Sequence, residues 1–312
     1  MTKKIFALMC MAAVILIASC DDDDDSSSQE YGTIEFHANG EGFVADGFIS
    51  EDGWAISFDN VYVSIASPTA YQIVQNEEIK KRHAGHPHSN IPEGSAHATL
   101  EGNYFLDLKR NTGSIFTIGS VTNRPVGNYN YLNFSIKNIS AGNEYTSLLN
   151  SGDTTDPSEY TGYSLIMIGD AQHIDTGTEI NFTIKIAQEI NFSNCGPLLD
   201  LDEDGIADGV LASGATASTQ LTFHFDHIFG DYEEGTGSYP VDEEIMSYWG
   251  VGFNYFMNVA GLANDGGTYT MNITQEDMKS AANNALMNAL YFQFTETMKT
   301  VGHAGEAHCT AH

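Results

Sequence analysis

The 312-residue chain carries eleven histidines, and nine of them fall in three groups. His83, His86 and His88 stand in KKRHAGHPHS with His97 nearby; His224 and His227 flank Asp226 in TFHFDHIFGD; His303, His308 and His312 crowd the carboxy terminus with Glu306. Neutral imidazole is the commonest protein ligand for zinc, copper and nickel, and grouping lets several rings reach one ion. Metal coordination is therefore the first chemistry to test.

In an extended strand His224 and Asp226 project to one side about 7 Å apart, a span that two ligands of one ion can bridge. His227 faces the other way unless the strand bulges there. The plainer alternative is a hydrogen-bonded His/Asp pair on a sheet face, with Phe223 and Phe225 in the core. In GHAGEAHC, residues 302–309, two glycines argue against a regular helix, and the spacing is not the H-E-x-x-H of zinc proteases. A looped ligand set of His303, Glu306 and His308, completed by His224, Asp226 or His227, is the expectation; a loose tail is the alternative. His83, His86 and His88 lie in an expected exposed basic loop, read either as a secondary metal-collecting tract or as a plain polar loop.

Asp200, Asp202, Asp204 and Asp208 occupy positions 1, 3, 5 and 9 of a calcium-type loop with Gly205 at position 6. Position 12 falls on Leu211, so the closing glutamate of a full EF-hand is missing, and the segment resembles the short calcium loops of thrombospondin-type and dockerin-type modules. Calcium is the expectation, against a solvated acidic turn.

Cysteine use bears on compartment. Lys3 and Lys4 followed by an apolar run to Ile17 and by Ala18-Ser19-Cys20 read as a lipoprotein signal over residues 1–19, with Cys20 as the lipid anchor. Residues 20–30, with Asp21 to Asp25 and Ser26 to Ser28, read as a tether. That acidic run also resembles the export signal of surface lipoproteins of Bacteroidota, which implies an outer-membrane, cell-surface location; a plain spacer on a periplasm-facing lipoprotein is the alternative. With Cys10 and Cys20 accounted for, Cys195 and Cys309 remain, and in an oxidising envelope the simplest expectation is one disulfide. A metal thiolate at Cys309 is the competing reading.

TFHFDHIFGD and GHAGEAHC, together with WAISFDNVYV at 54–63, resemble a family of bacterial lipoproteins that carry TFHFDHIFGD and GHxGExHC motifs. The resemblance spans nearly the whole mature chain. It implies no activity, and the DLDEDGIADG insert lies outside it.

The elements that must hold these residues read as strands. Apolar or alternating runs at 32–36, 54–65, 98–108, 114–121, 129–136, 163–171, 179–191 and 219–229 are separated by Gly, Asn and Asp turns, and 163–171 with 179–191 reads as a hairpin. One long helix is expected over 274–299, capped by Thr274 and Asp277, with Met278, Ala282, Ala285, Ala289, Phe292, Leu286, Leu290 and Phe294 facing the core. Gly302 ends it. The fold class that follows is mainly β, a β-sandwich with one long carboxy-terminal helix packed on it, as a single domain over 31–312.

Twelve basic against 42 acidic residues give a net charge of −30, which becomes −32 once Lys3 and Lys4 leave with the signal. Nucleic acid is excluded as a partner, since each phosphate contact begins from repulsion. No triad, nucleophile elbow, P-loop or dinucleotide motif is present, so enzymatic activity is left open and disfavoured. The leading expectation is a lipid-anchored envelope protein that binds zinc first and copper second, for capture or for delivery to an envelope transporter. A calcium-stabilised adhesion or glycan-binding sandwich is the alternative, and a metal-dependent hydrolase the third.

Overall fold

A computed structural model describes residues 29–73, 95–110, 115–198, 208–230, 250–305 and 307–312. Cys20, His83, His86, His88, Asp200, Asp202, Asp204 and Glu306 lie outside the described residues. No helix among the described residues is long and apolar enough to cross a membrane.

The molecule is mainly β, and its sheets pack together as a sandwich-like body. Of the two larger sheets, the smaller runs Ala307–His308, Gly302–Ala304, Thr216–Phe223, Tyr31–Asn39, Phe116–Pro125, and Gly127–Asn128 pairs with Val210–Leu211 in a separate two-stranded sheet. Tyr31–Asn39 and Thr216–Phe223 pair in parallel and the rest antiparallel. The larger sheet follows the order Thr268–Thr274, Glu179–Ile186, Leu165–His173, Trp54–Tyr71, Tyr131–Ile136, Ile190–Cys195, Thr310–Ala311, with four short strands added off this path. Leu165–His173 and Glu179–Ile186 form the expected hairpin.

Strand alternation decides what is buried. In Tyr31–Asn39, Ile34, Phe36 and Ala38 are fully buried while Glu35, His37 and Asn39 point away from that core. Between the sheets Phe223 meets Phe134 edge-on at 5.8 Å, and Phe134 stacks on Phe192 at 4.8 Å. These are favourable aromatic geometries on top of the area buried.

The helix expected over 274–299 is two helices, Gln275–Ala281 and Ala285–Thr297, followed by a 3-10 turn, Met298–Thr300. The cap at Thr274 and Asp277 is as expected, with Asp277 N donating to Thr274 Oγ1 at 3.2 Å and Thr274 N donating to Asp277 Oδ2 at 2.8 Å. The break comes from Asn284, whose side chain accepts from Met287 N at 3.0 Å and starts a second helix. Interrupting the 3.6-residue period resets the apolar face. Met278 and Phe294 are therefore buried, whereas Leu286 and Phe292 are 67% and 65% exposed and Ala285 and Ala289 face solvent.

Candidate metal centre

Thr216–Phe223 ends earlier than the expected strand over 219–229, and the chain turns there into a helical turn, Asp226–Phe229. Phe223, Phe225, Ile228 and Phe229 all have burial to gain, and no strand can bury the adjacent pair Ile228 and Phe229 on one face. The turn does so. It is closed by Gly230 N donating to Asp226 O at 2.7 Å, with Gly230 at φ +71°, and Gly250 lies so close that a Cβ there would sit 2.2 Å from Gly230 N. The strand geometry expected for His224 and Asp226 is thus replaced, and His227 joins them through the turn rather than through a bulge.

His224, Asp226 and His227 each offer a ligand atom within 4.8 Å of the others. The two histidine rings stack with centroids 5.2 Å apart. Asp226 lies between them, Oδ1 at 3.9 Å from His224 Nδ1 and Oδ2 at 3.9 Å from His227 Nε2. Ligand atoms of a tetrahedral zinc ion stand about 3.4 Å apart for bonds of about 2.0 to 2.1 Å, so ligand atoms within 4.8 Å of one another need only modest side-chain rotation to close onto an ion.

The carboxy-terminal segment arrives at the same place. Gly302–Ala304 pairs with Thr216–Phe223, placing His303 opposite Thr222, and folds back on Ala307–His308, placing His308 opposite His303. The tail expected as a loop is therefore a small hairpin, and Gly302 begins a strand instead of releasing the chain. A side chain at Gly302 has no room, since its Cβ would fall 2.7 Å from the Phe192 ring. The His303 ring lies 4.2 Å from that of His224, 5.6 Å from that of His227 and 5.0 Å from that of His308. Cys309 follows directly and is bonded to Cys195. A thiolate ligand at Cys309 is therefore ruled out in the oxidised chain.

Hydrogen bonds assign the protons. The Thr300 carbonyl stands 3.0 Å from His227 Nδ1 and 3.0 Å from His303 Nε2, and a carbonyl only accepts, so both nitrogens donate to it. The Thr300 hydroxyl, 3.2 Å from His227 Nδ1, spends its own proton on Thr297 O. In the neutral rings the bare nitrogens are then His227 Nε2 and His303 Nδ1. His224 turns Nδ1 toward Glu41 Oε2 at 3.4 Å, which leaves Nε2, buried and without a hydrogen bond, for an ion. His224 Nε2 and His303 Nδ1 are buried with no hydrogen bond. Fixing one nitrogen with an outer acceptor and leaving the other bare is how metal-binding histidines are oriented.

Burial holds these rings neutral. His224 is lowered to about 3, first by burial and then by His303, His227 and His308. His303 is lowered to about 4, again first by burial and then by His227 and His308, with the Thr300 carbonyl pulling the other way. Neutral imidazole is the form that binds metal.

Glu41 was not among the sequence candidates. It sits in the left-handed region at φ +57°, its N–H donating to Asn39 Oδ1 at 2.7 Å. Strain of this kind in a non-glycine residue gathers at functional sites. The only signal in the sequence is an acidic residue between Gly40 and Gly42 just past a strand. Of the other candidates, Asp208 is half-buried in a turn, His97 is exposed beside Ser95 O, and His312 Nε2 lies 3.2 Å from Ser193 Oγ. None of these three joins the cluster.

Compared with models of known protein families, with curated proteins and with solved structures, the chain has no match.

Proposed function

We propose that this chain is a lipid-anchored envelope protein that binds a divalent transition metal, zinc first and copper second, for capture or for delivery to an envelope transporter. One observation carries the reading. His224, Asp226 and His227 gather within 4.8 Å, and His224 keeps a buried nitrogen there with no hydrogen bond. Leaving such groups buried without a partner costs stability, which a bound ion would recover.

The donor set favours the metal class. Imidazole suits zinc and copper, whereas calcium and magnesium take oxygen ligands almost alone. Asp226 and Glu41 as carboxylates balance a divalent charge that neutral rings cannot. The leader over 1–19 and Cys20 support the envelope location.

Elemental analysis of protein purified without a histidine tag should find one zinc per chain. Competitive titration should show His224→Ala and Asp226→Asn each weakening zinc by about tenfold to a hundredfold or more, while His86→Ala changes it little. A wild-type protein that loses its zinc on buffer exchange, or a His224→Ala variant that binds as tightly, would sink the reading.

A further inference from the structure

We propose that His308 and His303 form an entry path along which an ion is handed to His224, Asp226 and His227. The proposal rests on the metal-binding reading above and adds to it a route and a kinetic role for two residues.

The geometry is a ladder that leaves solvent at His308 and passes the more deeply buried His303 and His224 before reaching His227, whose side chain is 28% exposed. His308 is exposed on the outer strand of the terminal hairpin, while His303, opposite it, is buried at 5% exposure. Ring centroids then step from His308 to His303 by 5.0 Å, from His303 to His224 by 4.2 Å, and from His224 to His227 by 5.2 Å. Among the described residues His308 makes ring contact with no histidine but His303. It stands, with His303, outside the group of His224, Asp226 and His227 whose ligand atoms all lie within 4.8 Å of one another. His303 Nδ1, buried and without a hydrogen bond, is the rung between the two.

A hydrated dication cannot shed its water in one step without a large desolvation cost. Along the ladder each ring nitrogen donates its lone pair to the ion before the bond to the previous ring breaks. Each step thus forms one metal–nitrogen bond and breaks another, with no electron transfer. His303 loses no proton on the way, because its Nε2–H donates to the Thr300 carbonyl and its Nδ1 is the bare nitrogen. The competing route leads straight in past His227, whose side chain is 28% exposed.

Stopped-flow loading of the full chain with zinc, and release to a chromophoric chelator, separate the two routes. His308→Ala should slow loading and release by the same factor of about tenfold or more, with affinity and one-to-one stoichiometry unchanged, since a residue outside the loaded site alters the barrier and not the end states. His308→Gln should behave alike. Loading at the wild-type rate would overturn the path in favour of entry past His227. A drop in equilibrium affinity would overturn it by making His308 a ligand. If the wild type itself takes up no stoichiometric zinc, the binding reading falls and the path with it.

Discussion

A histidine binds metal well when its proton is somewhere harmless and its lone pair is not spent. At this site a single backbone oxygen, that of Thr300, does this for both His227 and His303, and the Glu41 carboxylate, 3.4 Å from Nδ1, faces the other nitrogen of His224. The same burial has a consequence for stability. His224 and His303 titrate near 3 and 4 in the folded chain, against about 6.5 when unfolded. Below pH 6.5 the unfolded chain therefore binds protons that the folded chain refuses, so stability is full above pH 6.5 and falls as the pH drops toward 4 and then 3. The groups facing these rings are Glu41, Asp226, His227 and His308, and the loss expected is several kcal/mol. Melting temperatures of metal-free protein should decline between pH 6.5 and 4, less steeply in His224→Gln. A flat profile would mean that these rings are not held neutral by the fold. Much of the cluster was legible at this scale, because residue type alone singled out His224, Asp226 and His227, and the His303 and His308 that pack beside them. Glu41 was not, because its backbone conformation and its approach to His224 depend on a strand pairing that no local pattern encodes.

At the level of elements, local rules failed where two of them competed. Period-two alternation described Phe223 and Phe225 but could not bury Ile228 with Phe229, and a helical turn won. Helical periodicity over 274–299 was overruled by Asn284, a residue better satisfied as a cap than inside a helix. Two substitutions separate elements that hold the site from one that does not. Gly302→Val drives a side chain into the Phe192 ring and should cost about 1 to 3 kcal/mol, while loosening the pairing with Phe223 that sets His224 and weakening zinc. Asn284→Ala should cost about 1 kcal/mol through the lost cap and leave zinc affinity as it was. Urea unfolding beside zinc titration checks both, and a Gly302→Val variant with wild-type stability would contradict the packing described here.

On the scale of the whole molecule, the last eleven residues join its two larger sheets. Gly302–Ala304 and Ala307–His308 extend the smaller sheet, whereas Thr310–Ala311 pairs with Ile190–Cys195 in the larger one, and His312 and Asn191 exchange backbone hydrogen bonds of 3.0 and 3.1 Å. The histidine cluster lies just before the point where the chain crosses. Counting cysteines made the Cys195 to Cys309 bond legible, but not the crossing, which is a property of the assembled sheets. The bond closes a separation of 114 residues, and loops of that length are worth about 4 to 5 kcal/mol in the chain-entropy model. Its position next to His308 adds a second effect, because it fixes the strand that supports the hairpin. Replacing both cysteines by alanine should therefore lower the melting temperature by many degrees and also weaken zinc binding, although neither sulfur is a ligand. Reduction of the wild type should reproduce both changes, and reoxidation should reverse them. If the double variant melts lower yet holds zinc as tightly as the wild type at a temperature where both are folded, the strand pairing alone positions His303, and the bond serves stability without serving the site.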